Sequence, residues 1–193
     1  MKNLTNQKPV LVMIRGLPGS GKSYLATEIV VQMGPDKVEV LDPDATDYTA
    51  QEYVSFSKEL SSQGVDDKLH PYRYLRSRAY KAIISGKVII WNQAFTNLDL
   101  LDRTIKNLQA FASDHDAELP VLVVEVEINQ NIAKERVDSR EGQGGHGVSA
   151  EAFARFVQDY ASFSEYGYET VTVNGDGDVS ASANRIADAI ENI

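Results

Sequence analysis

Residues 16 to 23 read Gly-Leu-Pro-Gly-Ser-Gly-Lys-Ser, a G-x-x-x-x-G-K-[ST] octapeptide set between an apolar run and an amphipathic stretch. Few folds accommodate this pattern. Its glycines let successive backbone N–H groups point inward and cradle phosphate oxygens, and the helix that follows offers the positive end of its dipole. Lys22 can reach the β- and γ-phosphates, and the Ser23 hydroxyl can ligate Mg²⁺. Gly16, Leu17, Pro18, Gly19, Ser20, Gly21, Lys22 and Ser23, with Tyr24 behind them, are therefore the expected binding residues for a nucleoside triphosphate. The flanks agree with this reading. Val10-Leu-Val-Met-Ile14 is a continuous apolar run suited to a parallel strand buried on both faces. Tyr24, Leu25, Ile29 and Met33 recur at helical spacing, and Gly34-Pro35 ends the run.

Strand-like runs recur at 10–15, 37–41, 87–91, 120–128 and 169–173. The spacing predicts helices over 22–33, 50–62, 70–85, 97–114, 130–139, 149–162 and 179–191. Strand and helix alternate throughout, which predicts an α/β fold: a parallel sheet covered by helices on both faces, with ligands at the carboxyl ends of the strands. At 193 residues the chain is expected to form one domain over 1–193. It has no cysteine, which excludes disulfides, thiolate metal ligands and cysteine nucleophiles. The net charge of −9 disfavours nucleic acid as a partner, because an acidic surface repels a phosphate backbone. The first nine residues are polar and no apolar run approaches membrane-spanning length, so a cytoplasmic protein without a membrane partner is expected.

Three further segments should meet the octapeptide. Leu41-Asp-Pro-Asp44 places two carboxylates at the end of the second strand. Asp44 is the candidate for orienting and deprotonating an acceptor hydroxyl, and Asp42 for a Mg²⁺ or structural role; the plainer alternative is an Asx-turn held by Pro43. The helix from residue 130 carries Lys134, Arg136 and Arg140, the two arginines standing at i and i+4, and a Gly-rich stretch follows from 141 to 147. This is the pattern of a lid, about 134–150, that brings positive charge over a transferring phosphoryl group, or of a basic face paired with Glu135 and Asp138. The third strand runs into Trp91-Asn-Gln-Ala-Phe-Thr96, where Asn92 and Gln93 can hydrogen-bond a substrate. Trp91 or Phe95 could stack on a ring there, unless Trp91 fills the core.

Together the loop, the Asp after the second strand and the Arg-x-x-x-Arg helix resemble the zeta-toxin and polynucleotide-kinase group of P-loop kinases, within the AAA-type ATP-binding P-loop NTPases. Gluconate, shikimate and chloramphenicol kinases are similar in architecture at greater distance. The resemblance covers about residues 8 to 160 and implies a three-layer α/β/α fold with a five-stranded parallel sheet of order 2-3-1-4-5 and a helical lid. It implies an ATP- and Mg²⁺-dependent kinase acting on a hydroxyl of a small molecule, a sugar nucleotide or a nucleic-acid 5′ end. Asp44 matches the base, Lys22 and Ser23 the phosphate lysine and Mg²⁺ hydroxyl, and Arg140 and Arg136 the lid arginines. The turn after the last strand, Val173-Asn-Gly-Asp-Gly-Asp178, stands where such kinases let backbone meet adenine. Two departures are visible: no Arg follows Asp44 closely, and Asn92 stands where relatives often carry Asp. They motivate a second expectation, an ATP-dependent switch or regulatory ATPase without a small-molecule acceptor.

Overall fold

The structure is a computed structural model that describes residues 8–141 and 148–193; the side chains of residues 140 and 141 also lie outside the description. Five strands, β1 (Val10–Gly16), β2 (Val38–Leu41), β3 (Val88–Asn92), β4 (Val121–Glu127) and β5 (Glu169–Asn174), form one parallel sheet of order 2-3-1-4-5. Seven α-helices are described: α1 (Lys22–Met33), α2 (Gln51–Ser62), α3 (His70–Ile84), α4 (Leu98–Ser113), α5 (Gln130–Glu141), α6 (Ala150–Asp159) and α7 (Val179–Asn192). The expected fold and strand order are observed.

Alternation along β1 explains the three layers. Leu11 and Met13 face one side, where they pack with Leu75, Ala79, Leu101 and Ile105 of α3 and α4. Val10, Val12 and Ile14 face the other, against Leu25 and Ile29 of α1 and Ile186 and Ile190 of α7. With both faces covered, the central strands are apolar at nearly every position, as a fully buried parallel sheet requires. Trp91 is 3% exposed within the α3/α4 layer, so it belongs to the core and does not stack on a ligand. Ala133, Val137 and Phe153 form a small separate cluster that joins α5 to α6.

Register brings the chemistry to one edge. Ile14 pairs with Asn92 and Gly16 with Val126, while Leu41 lies beside Trp91. The ends of all five strands therefore converge where β1 passes into α1. Side-chain caps fix the entries of three helices: Asn97 accepts from Leu100 N, Ser149 from Ala152 N and Asp178 from Ala181 N. The sixth helix corrects its expected extent: it stops at Asp159 and not at 162, because residues 162 and 163 turn to satisfy a buried carboxylate described below.

Candidate active site

The loop between β1 and α1 is built by close backbone approach. Gly19 has φ +81°, and a Cβ there would stand 2.2 Å from the carbonyl oxygen of Ala133 in α5, so only glycine fits under that helix. No side chain caps α1 at Gly21, which leaves its first N–H groups facing the loop. The Lys22 ammonium folds back and donates to the carbonyl of Leu17 at 2.9 Å, across the concavity that the loop encloses. On the other side Gly175, in the turn after β5, packs against the loop so closely that a Cβ would meet Ser20 O at 2.2 Å. The loop is thus held between α5 and the turn after β5.

Ser23, Asp42 and Asn92 meet beside it. The Ser23 hydroxyl donates to Asp42 Oδ2 at 3.3 Å, and Asn92 Nδ2 donates to that same carboxylate oxygen at 2.6 Å and to Ser23 Oγ at 2.9 Å. Asp42 is 8% exposed, and its Oδ1 accepts from the backbone of Asp44 and Ala45 at 2.9 and 3.3 Å. One carboxylate therefore forms the Asx-turn and also faces the loop, so the two readings of Asp42 are not exclusive. A carboxylate and a hydroxyl beside a phosphate cradle fit Mg²⁺, which takes one or two protein oxygens and completes its shell from phosphates and water. Among the described residues no group of three or more His, Cys, Asp or Glu could hold a metal. Asn92 Oδ1 is buried beside Ser23 and Asp42 without a hydrogen-bond partner among the described residues.

Two cavities flank the loop. The larger, about 550 Å³, is lined by Gly19, Lys22, Ser23, Asp42, Asp44 and Asn92 and extends past residues 93–97 to Val137, Val148 and Phe156. The structure brings together here the lysine, both carboxylates and the serine picked out from sequence. Asp44 is exposed at its wall, its backbone held by Asp42. Nearby, burial raises the Tyr48 hydroxyl above its ordinary value, so it stays protonated and donates to Pro43 O at 3.0 Å. The smaller cavity, about 270 Å³, is lined by Ser20, Gly21, Tyr24, Arg136 and residues 174–177. The guanidinium of Arg136 donates to Gly175 O at 2.9 Å and to Asp176 Oδ1 at 2.7 Å, so this arginine borders the second cavity, away from Asp44. Arg140 stands in the last turn of α5, and its side chain lies outside the described residues, as does the Gly-rich stretch at 142–147.

Sequence reasoning missed a buried ion pair that shapes the larger cavity. Arg15, fully buried beside the loop, donates to Glu125 Oε1 and, at 3.2 Å, to the carbonyl of Phe95. Phe95 has φ +49°, a left-handed conformation uncommon for an aromatic residue, and it lines the cavity wall. Glu125 also accepts from Phe163 N at 2.8 Å and Ser162 Oγ at 3.2 Å, and the Arg15 guanidinium lies 4.4 Å from the centre of the Tyr160 ring. The available signal was a charge inside each of two apolar strand runs, at Arg15 and at Glu125. A charge at such a position needs a buried partner.

No curated protein matches the chain. Among solved structures it is similar to Kti12 from Chaetomium thermophilum in complex with ADP-AlF3, with 15% identity over 94% of this chain and 97% of that one and a TM-score of 0.63. It is also similar to the APS kinase CysC of Mycobacterium tuberculosis in complex with AMPPNP and APS, with 16% identity over 96% and 99% of the two chains and a TM-score of 0.61. A gluconokinase from Sinorhizobium meliloti 1021 shares 16% identity over 97% and 98%, with a TM-score of 0.54. These are likenesses of fold, and the shared architecture is that of P-loop kinases. The pattern of the AAA domain family AAA_33 matches residues 11–163, from β1 through α6. The chain belongs to the AAA domain family.

Proposed function

We propose that this protein is an ATP-dependent kinase that moves the γ-phosphate of ATP to an acceptor hydroxyl. One observation carries the reading: Asp44 lines the same cavity as Lys22 and Ser23 of the phosphate loop. A carboxylate opposite the γ-phosphate position suits transfer to an alcohol, where the nucleophile must be aligned and must lose a proton. The acceptor oxygen forms a bond to the γ-phosphorus as the bond to the bridging oxygen breaks, ADP leaves, and the hydroxyl proton passes to Asp44. Lys22 and Arg140 supply positive charge to the transferring group. Arg136, Tyr24 and the turn at 174–177 border the rest of the nucleotide, consistent with the smaller cavity they line. When bound, Mg²⁺ neutralises phosphate charge, and Ser23 and Asp42 would hold it.

Within the family we place the chain nearest in design to zeta toxins and polynucleotide kinases, on the loop, Asp44 and the lid arginines. We place it in the cytoplasm, where ATP and Mg²⁺ are supplied; among the described residues no helix is long and apolar enough to cross a membrane. On the basic helix α3, Arg78 pairs with Glu39 at 2.8 Å and Lys81 with Glu52 at 3.1 Å, which leaves those two cations less available to nucleic acid. A second reading, an ATP-dependent switch, draws on Asn92, an amide where a second carboxylate would strengthen metal binding. Incubation with γ-labelled ATP and Mg²⁺ over an acceptor panel separates the two. Wild type transfers label to an acceptor and Lys22→Ala loses at least about a hundredfold in rate; tight ATP binding with label on no acceptor favours the switch.

A further inference from the structure

Resting on the kinase reading, we infer that the acceptor is an uncharged polyhydroxylated small molecule, a neutral sugar or nucleoside, and not a phosphorylated or carboxylated one. Beyond the phosphate loop, the polar lining of the larger cavity consists of Asp44, Asn92, Gln93, Thr96 and Asn97, with Asp42 occupied by its own hydrogen bonds. Among the described residues Lys22 is the one cation on that lining, and it belongs to the phosphate loop. Among the described residues, an acceptor phosphate or carboxylate there would face Asp44 with no cation on the lining beyond the Lys22 of the loop. Such an anion loses water without gaining charge-assisted partners, and it is repelled by the nearby carboxylate.

The wall instead offers what a polyol needs. Amides and a hydroxyl donate and accept in turn, and they are positioned by the fold: Gln93 N donates to Ile14 O at 3.1 Å, and the Arg15 guanidinium holds Phe95 O at 3.2 Å. Phe95, Leu100 and Phe156 give an apolar surface for the C–H face of a sugar ring or for a base. Volume points the same way. A cavity of about 550 Å³ that also contains the site of transfer is of the size that takes a small molecule. The net charge of −9 opposes the approach of any anion except one drawn to the loop itself.

In the reaction the acceptor hydroxyl oxygen bonds to the γ-phosphorus, ADP departs with the bridging oxygen, and Asp44 takes the proton. No other co-reactant is needed. The test is label transfer from γ-labelled ATP with Mg²⁺, using the full chain. The arms are neutral hexoses, nucleosides, their monophosphates, aldonic acids and 5′-hydroxyl oligonucleotides. Transfer to a neutral hexose or a nucleoside, with kcat/KM at least about a hundredfold lower for its phosphorylated counterpart, is expected. The hexose and nucleoside arms then tell the two sources apart. Equal or better transfer to a monophosphate, an aldonic acid or an oligonucleotide overturns the inference and leaves the kinase reading standing. ATP binding without transfer to any arm overturns the kinase reading and the inference with it. A second variant tests the wall: Gln93→Arg should shift the kcat/KM ratio toward the phosphorylated counterpart by about tenfold. An unchanged ratio in a variant that still binds ATP contradicts an acceptor seated against Gln93.

Discussion

Asn92 donates through a single amide nitrogen to both Ser23 and Asp42, and this one choice of residue sets the charge of the site at rest. An aspartate there would place a second carboxylate against Asp42 in a nearly closed environment, lose both donated hydrogen bonds, and repel. Asn92→Asp should therefore destabilise the ligand-free protein by about 1–3 kcal/mol in urea unfolding, with the loss largely recovered when Mg²⁺ and an ATP analogue are present. No difference in stability between Asn92→Asp and wild type, with and without Mg²⁺, would contradict the coupling of Asn92 to Ser23 and Asp42. The octapeptide was legible from sequence because its pattern is local: spacing along the chain dictates how loop N–H groups and the following helix are arranged. The Ser23–Asp42–Asn92 cluster was only half legible. Its residues are brought together by sheet register, which pairs Ile14 with Asn92, and no local pattern encodes which atom donates to which.

Between elements, the Arg15–Glu125 pair ties β1 and β4 to the β3–α4 connection through Phe95 and to the segment after α6 through Ser162 and Phe163. Taking two charges out of water is costly, and the hydrogen bonds around them offset that cost only while both partners stay. Arg15→Met or Glu125→Leu alone should cost about 3–5 kcal/mol, while the double replacement costs less than the sum of the two. Strict additivity in urea denaturation would contradict the pairing. Because Arg15 holds Phe95 in its left-handed conformation, Arg15→Met should also raise KM for the acceptor more than KM for ATP. Helix and strand extents were largely readable from apolar periodicity and caps, yet α6 ended early for a reason no periodicity contains. Glu125 lies 38 residues from the backbone N–H it accepts from Phe163, and that contact, not helix propensity, ends the run.

For the molecule as a whole, the alternation of strand and helix was enough to predict layers and parallel strands, while the order 2-3-1-4-5 came from family resemblance. What sequence could not locate was Arg136: its helical spacing with Arg140 was plain, but its partners at Gly175 and Asp176 lie across the loop. The segment from 160 to 168 closes the sheet edge, and two tyrosines bracket it. Burial pushes both Tyr160 and Tyr168 up to about 12, with the Asp102 hydrogen bond adding to the effect at Tyr168. Since both lie above the ordinary value of 10.0, the fold favours their neutral forms. That contribution is fully present below pH 10 and is lost as pH rises through about 12. The urea midpoint should fall over this window in wild type and fall less in Tyr160→Phe with Tyr168→Phe; identical pH slopes would dissociate the segment from alkaline unfolding.

The central claim is that this site transfers phosphate to a hydroxyl aligned by Asp44. Its most direct measurement is the amount of phosphorylated acceptor and of ADP, quantified together by mass spectrometry, for wild type and Asp44→Asn. Wild type should give one phosphorylated acceptor per ADP, and Asp44→Asn should bind ATP normally while losing about 10²–10⁴-fold in transfer. Full transfer by Asp44→Asn, or ADP formed by wild type without a phosphorylated acceptor, would contradict it.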